Sequence, residues 1–321
     1  MRQERWPHTR PFRIARGVAT HADVVVVTLI DGGHRGWGEA RPTARYGETT
    51  DSVIAQVGEI LSAISRGIAW ESLHDEVPAG AARNAVDCAA WDLQAKRSGV
   101  PVWKLIGVPE PTSIPTAYTI GLDSPEAMAA AAEASGAHSI LKLKLGGQED
   151  VERVRAVRAA VPRKRLIVDV NEAWSFEQLQ DSLPALLEAG VAMIEQPLAA
   201  GKDDALMKLP RLIPLCADET CHTSADLDRV RPCYDVINIK LDKTGGLTEA
   251  VRLARLARSR GLDVMAGCMP GTSLAIAPAT LLTPFCRFVD LDAPLLMSGD
   301  RESALDYADG CVHPPARALW G

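Results

Sequence analysis

Alternating apolar and polar positions between residues 139 and 146 predict a strand with two different faces. In the segment Ser139–Gly146, written SILKLKLG, three leucines share one side, and Lys142 and Lys144 share the other. This follows because side chains alternate across a strand. The lysines are either the solvated face of an edge strand or two cations that a buried strand places in a site. The pattern along the rest of the chain favours the second interpretation.

Similar β-rich segments recur every 22 to 26 residues beyond the linker near residue 112. The candidate strands centre near eight positions: Ala117, Lys142, Val168, Met193, Cys216, Asn238, Val264 and Val289. Helical segments fill the intervals, and two of them open with capping signals, Ser124-Pro-Glu and Ser175-Phe-Glu-Gln178. Eight strands, each but the last followed by a helix, predict an α/β fold. We expect a modified TIM barrel of the (β/α)7β type over residues 113–303.

An open doubly wound sheet is the competing architecture for this pattern. Such a sheet usually carries a glycine-rich phosphate loop after its first strand. Here the first strand ends Tyr118-Thr-Ile-Gly121, without that loop. We therefore favour the closed barrel.

The N-terminal part of the chain is organised differently. Residues 1–47 have the pattern of strands and turns, with a hairpin-type turn at Asp31-Gly-Gly-His34. Residues 50–105 have apolar positions at helical spacing, and the helix predicted over Ala81–Arg97 ends before a glycine. These patterns predict a smaller α+β domain over residues 1–112.

Composition and charge exclude several classes of protein. Hydrophobic residues make up 47% of the chain and charged residues 24%, which is typical of soluble globular proteins. The net charge of −6, without a Lys/Arg-rich block, argues against nucleic acid or a membrane as partner. The N-terminus lacks the apolar core of a secretory signal, and the run Val24–Ile30 is too short to span a bilayer.

Cysteine and histidine usage narrows the class further. Seven cysteines without a C-x-x-C pair favour free thiols in a reducing cytoplasm. Seven histidines form no zinc-type cluster. We expect a cytoplasmic enzyme that does not use zinc.

Polar residues occur where seven consecutive barrel strands end, which is the side at which TIM-barrel active sites lie. They are Lys142 and Lys144, Asp169 and Asn171, Glu195, Asp218 and Glu219, Lys240, Cys268, and Asp290 and Asp292. Any one of them alone is explained by a helix cap or a solvated strand end. Their recurrence on seven strands predicts a common site.

Three of these residues, Asp169, Glu195 and Asp218, are acids on adjacent strands. Carboxylates within about 5 Å of one another repel by roughly 3 kcal/mol per pair at an effective dielectric near 20. Oxygen ligands from three neighbouring strands suit a hard divalent cation, and Mg²⁺ is the predicted ion. A lysine–carboxylate ion-pair network is the alternative.

Lys144 and Lys240 lie on the second and sixth predicted strands, which are half a turn apart in an eight-stranded barrel. Two bases on opposite sides of a substrate permit a 1,1-proton transfer, in which one removes an α-proton and the other returns a proton to the opposite face. A free lysine has a pKa near 10.4. Burial and the field of a cation both favour the neutral amine that can act as a base.

These motifs together resemble the enolase superfamily, muconate-lactonizing subgroup. The segments that carry the resemblance are Leu141–Lys144, Val168–Asn171, Ile194–Pro197, Cys216–Glu219 and Ile239–Gly246. The resemblance implies that Asp169, Glu195 and Asp218 bind one Mg²⁺ per subunit and that Lys144 and Lys240 are the acid/base pair, acting through an enediolate. It implies that Lys142 contacts the substrate carboxylate. It also implies that domain 1–112 caps the barrel and is completed by the tail, about residues 304–321.

Within that subgroup the chain is most similar to the dipeptide epimerases. Asp290 and Asp292 match the acidic pair that holds a dipeptide's α-ammonium, and Thr119 and Cys268 match substrate-contacting positions. Arg16 could pair with the γ-carboxylate of a C-terminal Glu. The resemblance implies a magnesium-dependent epimerase that inverts the α-carbon of the C-terminal residue of an L-Ala-Glu-type dipeptide, in murein peptide metabolism.

Other functions stay open at this point, and so does homo-oligomer formation. An o-succinylbenzoate synthase or a cycloisomerase of the same subgroup is the alternative enzyme, although its substrate has no ammonium group for the aspartates. A non-catalytic barrel that binds amino-acid derivatives is the alternative from another class. Loss of a lysine or a metal-binding acid would favour it, but all five are present.

Overall fold

An antiparallel sheet begins the chain. The computed structural model describes residues 1–321. Its first sheet pairs in the order β1 (Arg2–Ile14), β2 (Gly17–Asp31) and β3 (His34–Ala40). The predicted hairpin turn between β2 and β3 is confirmed: Gly32 and Gly33 have φ of 56° and 80°, as a two-residue primed turn requires.

Helices follow this sheet in the chain, and α1 and α3 pack against it. They are α1 (Thr50–Ser65), α2 (Leu73–Glu76), α3 (Ala81–Ser98) and α4 (Val102–Leu105). The predicted end of α3 is confirmed, because Gly99 adopts the left-handed conformation at φ 72° that stops a helix. Helix α3 packs closely on β3, since a Cβ atom at Gly38 would collide with the carbonyl oxygen of Ala85.

A short strand, β4 (Ile114–Pro115), leads into an eight-stranded parallel sheet. Its strands follow one another in chain order: β5 (Ala117–Ile120), β6 (Ile140–Lys144), β7 (Arg165–Asp169), β8 (Val191–Glu195), β9 (Leu215–Ala217), β10 (Val236–Ile239), β11 (Asp263–Ala266) and β12 (Phe288–Val289). Each predicted strand centre lies within its strand. The barrel prediction is confirmed.

The helices that alternate with these strands are less regular than predicted. They are α5 (Pro125–Glu133), α6 (Asp150–Ala160), α7 (Phe176–Glu188), α8 (Leu227–Val230), α9 (Leu241–Thr244), α10 (Leu247–Ser259) and α11 (Ser273–Ile276). Both predicted N-caps are confirmed, at Ser124 and in the capping box of Ser175 and Gln178. Between β8 and β9 only a 3₁₀ turn forms, Asp203–Lys208. The expectation of a full helix there was wrong: the buried side chain of Asp203 accepts hydrogen bonds from Gln196, Thr220 and Tyr234, which fixes the start of this turn against neighbouring loops of the barrel.

The first and last barrel strands, β5 and β12, do not pair through their backbones. Side chains join them instead. The backbone N–H of Thr119 donates to Asp292 Oδ2 at 2.6 Å, and that of Leu291 donates to Thr116 Oγ1 at 2.9 Å. We call these four residues the seam. The seam closes the barrel and includes two of the predicted site residues, Thr119 and Asp292.

The two faces of β6 have the predicted difference in environment. Leu141, Leu143 and Leu145 are fully buried in the main hydrophobic core. Lys142 and Lys144 are only 2% and 7% exposed, and β6 lies between β5 and β7. The interpretation as an edge strand with solvated lysines was therefore wrong, and the buried strand is confirmed.

An apolar layer fills the barrel beneath the lysines. Its members are Ala117, Ile167, Met193, Cys216, Val236, Met265 and Phe288. Four of them precede a candidate site acid by two residues, so they and the acids share the inward face of their strands. The site therefore lies directly above an apolar layer, where an unpaired charge would be unfavourable.

The N-terminal unit and the barrel contact each other through α3 and the C-terminal tail. Arg83 of α3 donates to the carbonyl oxygens of Thr244 and Gly245, just after β10. In the tail, strand β13 (Cys311–Val312) pairs with β4, and Trp320 Nε1 donates to the carbonyl oxygen of Cys88 in α3. These contacts support our proposal that the tail completes the N-terminal domain.

Two further expectations concern thiols and membranes. All seven cysteines are free, as predicted. No helix is both long enough and apolar enough to cross a lipid bilayer.

Candidate active site

The carboxyl ends of the barrel strands surround a cavity of about 460 Å³ that the N-terminal loops cover. The predicted site residues that line it are Arg16, Thr119, Lys142, Lys144, Asp218, Lys240, Cys268, Asp290 and Asp292. A second groove, about 510 Å³, runs outside the barrel between β1 and α5. Its only charged lining residues are Arg10, Arg13 and Asp123, so the chemistry concentrates in the first cavity.

Lys142 lies at the centre of an ion-pair cluster. Its Nζ is 2.7 Å from Glu195 Oε2, 2.7 Å from Asp290 Oδ2 and 3.1 Å from Asp169 Oδ2. Lys144 Nζ approaches the same Asp169 oxygen at 2.6 Å. One buried lysine thus connects two of the predicted metal-binding acids with one of the predicted ammonium-binding acids.

Across the mouth, Lys240 follows β10 and pairs with Asp218 Oδ2 at 2.6 Å. Three strands separate β10 from β6, which carries Lys144, so the two lysines come from opposite sides of the barrel, as predicted. Each contacts a different carboxylate, Asp169 or Asp218.

Lys243 is a fourth buried lysine, which the sequence reasoning did not assign. Its Nζ lies 2.7 Å from Asp218 Oδ1 and donates to the carbonyl oxygens of Asp218, Cys221 and Asn238. The only sequence signal was its spacing: it lies three residues after Lys240, one helical turn further on. Lys243 fixes the loop that carries Asp218.

Amide side chains position the acids from the next layer. Asn238 Nδ2 donates to Glu195 Oε1 at 2.7 Å. Gln196 Oε1 accepts the backbone N–H groups of Asp218 and Thr220 at 2.9 and 3.1 Å. Gln196 itself has a strained φ of 34°. The sequence reasoning missed both roles, because amides are common at strand ends for many reasons.

The acids differ in their pKa shifts. Burial disfavours ionised Asp169 and Asp218, but their lysine partners outweigh it and lower the pKa of both carboxyls. Burial and the neighbouring Asp169 charge raise the pKa of Glu195 to about 7. Of the three acids, Glu195 therefore gains most from an added positive charge.

Carboxylates oppose the expected effect of burial on two of the lysines. Burial lowers the pKa of Lys142 and Lys240, but nearby carboxylates, Asp290 and Asp218 foremost, outweigh it and raise both pKa values. Burial alone therefore does not produce a neutral amine here. Neutralising the carboxylates is the step that would lower these pKa values.

The donor set fits a hard cation. Glu195 Oε2 and Asp218 Oδ1 are buried oxygens without a hydrogen-bond partner, although a lysine ammonium lies 2.7 Å from each. No three acidic side chains converge on one point in this arrangement, because the ammonium groups lie between them. The lysine–carboxylate ion-pair network, which was the alternative to a metal site, is therefore present here, and the same oxygens have the chemistry that Mg²⁺ prefers.

The predicted ammonium-binding pair lies at the last strand. Asp290 pairs with Lys142 through Oδ2, while its Oδ1 is buried without a partner. Burial and the Asp290 charge raise the pKa of Asp292 to about 7. Cys268 Sγ is 3.3 Å from the carbonyl oxygen of Asp290, and burial raises the pKa of its thiol. Thr119, Cys268 and both acids are thus brought together.

Arginines form the lip of the cavity. Arg16 Nη2 lies 2.7 Å from Glu219 Oε1, and its Nη1 donates to the carbonyl oxygen of Asn171 and to Glu172. Arg45 also pairs with Glu172. The structure places Arg16 at the cavity, as predicted, with two acidic partners that the sequence did not suggest.

The fold and the site together define an enolase-superfamily protein: a (β/α) barrel with opposed lysine–carboxylate pairs at its mouth, under an N-terminal α+β unit. The chain belongs to the mandelate racemase/muconate lactonizing enzyme family. Residues 1–107 match the model of that family's N-terminal domain, and residues 125–318 match the enolase C-terminal domain-like model. The resemblance inferred from the motifs is confirmed.

Two relatives illustrate the similarity. The chain is 46% identical over 314 residues to the L-Ala-D/L-Glu epimerase of Escherichia coli (strain K12), covering 97% of this chain and 98% of that one. It is 45% identical over 300 residues to an N-acetyl-D-glutamate racemase of Pseudoalteromonas sp, covering 93% and 95%.

Two solved structures add bound ligands. An enolase family member from Agrobacterium tumefaciens, with homology to dipeptide epimerases and with sodium and L-Ala-L-Glu bound, superposes at a TM-score of 0.97. It is 44% identical and the match covers 100% of this chain and 98% of that one. A dipeptide epimerase from Enterococcus faecalis V583, complexed with Mg and L-Leu-L-Tyr, superposes at 0.91 with 26% identity, covering 99% and 97%.

Proposed function

We propose that this protein is a magnesium-dependent epimerase of L-Ala-Glu-type dipeptides. It inverts the α-carbon of the C-terminal residue by a two-base 1,1-proton transfer. The observation that carries this proposal is the pairing of Lys144 with Asp169 and of Lys240 with Asp218 on opposite sides of one cavity. The epimerase and racemase relatives support the same class of reaction.

Asp169, Glu195 and Asp218 would hold one Mg²⁺. When bound, the cation would stabilise the negative charge that gathers on the substrate carboxylate as the α-proton leaves. Buried oxygens of Glu195 and Asp218 that accept no hydrogen bond and contact only an ammonium support this assignment, and so does the magnesium complex of the Enterococcus structure. Lys142 would then turn from these acids to the substrate carboxylate.

The proton steps use Lys144 and Lys240. The neutral amine of one lysine accepts the α-proton. The substrate, having lost that proton, becomes an enediolate. The ammonium of the other lysine donates a proton to the opposite face of that carbon, and the C–H bond re-forms with inverted configuration. Reaction of the other epimer exchanges the two roles. The Asp218 charge raises the pKa of Lys240, so release of Asp218 from Lys240 would lower that pKa towards the range of a useful base.

The acidic pair gives the substrate its orientation. A dipeptide α-ammonium beside Asp290 and Asp292 would make charge-assisted hydrogen bonds, each contributing roughly 1.5–3 kcal/mol. The unpartnered Oδ1 of Asp290 supports this role. Thr119 and Cys268 would contact the substrate from β5 and β11, and Arg16 would face the γ-carboxylate. We place this reaction in murein peptide metabolism in the cytoplasm. The seven free thiols support a reducing compartment such as the cytoplasm.

A second candidate is the racemisation of an N-acylated glutamate. It is favoured by the raised pKa of Asp292, about 7. A protonated carboxyl at this position can donate a hydrogen bond to an acyl oxygen, where an ionised one would need an ammonium. The 45% identical racemase supports this alternative.

Deuterium exchange separates the candidates. We would incubate the protein with Mg²⁺ in D₂O and supply L-Ala-L-Glu, L-Ala-D-Glu or N-acetyl-D-glutamate. We expect deuterium at the α-carbon of Glu and both epimers from the dipeptides. Exchange confined to N-acetylglutamate would favour the second candidate. Absence of exchange with any dipeptide of a wider library would refute the proposal, and a direct dehydration assay tests the synthase alternative.

A further inference from the structure

Glu172 occupies a strained position at the end of β7. Its φ is 71°, and that of the preceding Asn171 is 49°, so two consecutive non-glycine residues lie in the left-handed region. Neighbouring groups hold this shape: the N–H of Glu172 donates to the carbonyl oxygen of Gln196, and the N–H of Asn171 donates to Asp169 Oδ1. Such strain persists where the surrounding structure fixes it, and it is frequent at functional sites.

The strained backbone directs one carboxylate towards two separate N-terminal loops. Arg45, just after β3, forms a bidentate pair with Glu172, Nε to Oε2 and Nη2 to Oε1, both at 2.7 Å. Arg16, from the hairpin between β1 and β2, reaches Oε2 at 3.1 Å. The N–H of Ala200 donates to Oε1 at 2.9 Å and holds the carboxylate from the barrel side. Glu172 therefore connects both lip loops to the barrel.

The two arginines differ in the donors that they have left. Arg16 uses both terminal nitrogens, on Asn171, Glu172 and Glu219. Arg45 uses Nε and Nη2 on Glu172, and its Nη1 makes no hydrogen bond within the protein. Arg45 lines the cavity. A fixed guanidinium with unused donors is a suitable partner for an anionic group.

We propose that Arg45, positioned by Glu172, determines a preference for substrates with an anionic side chain on the C-terminal residue. This inference rests on the proposed function. Glu172 acts as a positioning residue: its bidentate contact fixes the plane of the Arg45 guanidinium, so that Nη1 stays available to a γ-carboxylate. A lysine at position 45 could not reproduce that geometry.

The test compares L-Ala-L-Glu with its neutral isostere L-Ala-L-Gln in the full-length protein. We expect Glu172→Gln to lower the ratio of their kcat/KM values by about tenfold, since charge-assisted bonds to one ligand are lost. The loss should lie in KM for L-Ala-L-Glu, while kcat/KM for L-Ala-L-Gln stays within twofold. Glu172→Asp keeps the charge but shortens the reach, so the ratio should fall in that variant too.

Arg45→Ala should lower the ratio as much as Glu172→Gln, and the double variant should lose no more than either single one, because both remove the same interaction. Arg45 belongs to an exposed turn, so this variant keeps the test available if Glu172→Gln fails to fold. Asp228→Asn breaks an exposed pair with Arg260, and neither residue lines the cavity, so this variant should leave the ratio unchanged.

Two outcomes would overturn the proposal while leaving the proposed function intact. Tighter binding of L-Ala-L-Glu by Glu172→Gln would mean that Glu172 only repels the substrate anion. An equal loss for both dipeptides would mean that its role is only structural. Wild-type protein that exchanges neither dipeptide would refute the proposed function itself, and this inference with it.

Discussion

Replacing Lys240 by alanine separates the two halves of the proposed reaction. Lys240→Ala removes one of two opposed bases, while Lys144 keeps its contact with Asp169 at 2.6 Å. The remaining lysine can still remove and return a proton on its own face. We therefore expect deuterium exchange from one epimer of the dipeptide without its inversion. Lys144→Ala should show the same behaviour with the other epimer.

The magnitude follows from what the variant leaves behind. Positioned acid/base groups contribute about 10²–10⁴-fold to rate, so epimerisation should fall by at least about a hundredfold. Asp218 loses its 2.6 Å partner at Oδ2 but keeps Lys243 at 2.7 Å from Oδ1. The cost of the lost partner is about 1–3 kcal/mol, within the stability of an ordinary domain. The variant should fold, which circular dichroism checks.

The assay follows the α-proton of Glu by NMR in D₂O and, in parallel, the chirality of the product. Each lysine variant is given each epimer, which makes four measurements. Inversion by Lys240→Ala at the wild-type rate would refute the two-base assignment. Exchange of the same epimer by both variants would also contradict it, because the lysines would then act on one face.

Three further predictions follow from the buried charges. Lys243→Met removes the ion-pair partner of Asp218 Oδ1 and the donor to three carbonyl oxygens, so the free energy of unfolding should fall by about 3–5 kcal/mol, measured by urea denaturation. Asp242, whose pKa burial raises to about 7 from 3.8, binds a proton more tightly in the folded state. The stability that it contributes is therefore present at pH 4 and is lost as pH rises to 7, by up to about 4 kcal/mol. Asp242→Asn, whose Oδ1 can still accept from Arg41 and Asn84, should flatten this dependence in thermal melts. Finally, EDTA should abolish exchange, and Mg²⁺ at 100 times its Kd should stabilise the protein by about 2.7 kcal/mol.

Each of these predictions has an outcome against it. An unchanged denaturation midpoint in Lys243→Met would mean that water replaces the ammonium. A wild-type melting temperature that rises between pH 4 and 7, equally in Asp242→Asn, would show that other groups dominate. A Mg²⁺-induced thermal shift that persists in Glu195→Gln would argue against Glu195 as a ligand.

The sequence alone predicted the barrel, because its eight strands return at a near-constant interval, a pattern that depends on local hydrophobicity. The sequence also predicted that the three acids, Lys144 and Lys240 lie at one site, because strand parity and chain order determine which side chains face a barrel mouth. Residues such as Lys142 could be placed in this way without knowing a single contact.

What could not be predicted depends on partners distant in sequence. Lys243 resembles a lysine in an ordinary helical turn, but two of its acceptors, the carbonyl groups of Asp218 and Cys221, lie in the loop after β9. Glu172 acquires its role only because two N-terminal loops fold back over β7. The direction of the Lys240 pKa shift depended on a competition between burial and Asp218, which composition cannot decide.

The seam has a consequence for how this protein can diverge. Asp292 both faces the cavity and receives the Thr119 N–H that joins the first strand to the last. Mutations at Asp292 that favour a new substrate would therefore weaken the barrel at the same time. The side chain of Asp290 accepts no backbone hydrogen bond, and its Oδ1 has no hydrogen-bond partner. Evolution towards substrates without an ammonium group should thus begin at Asp290, with Asp292 changing only after stability has been gained elsewhere.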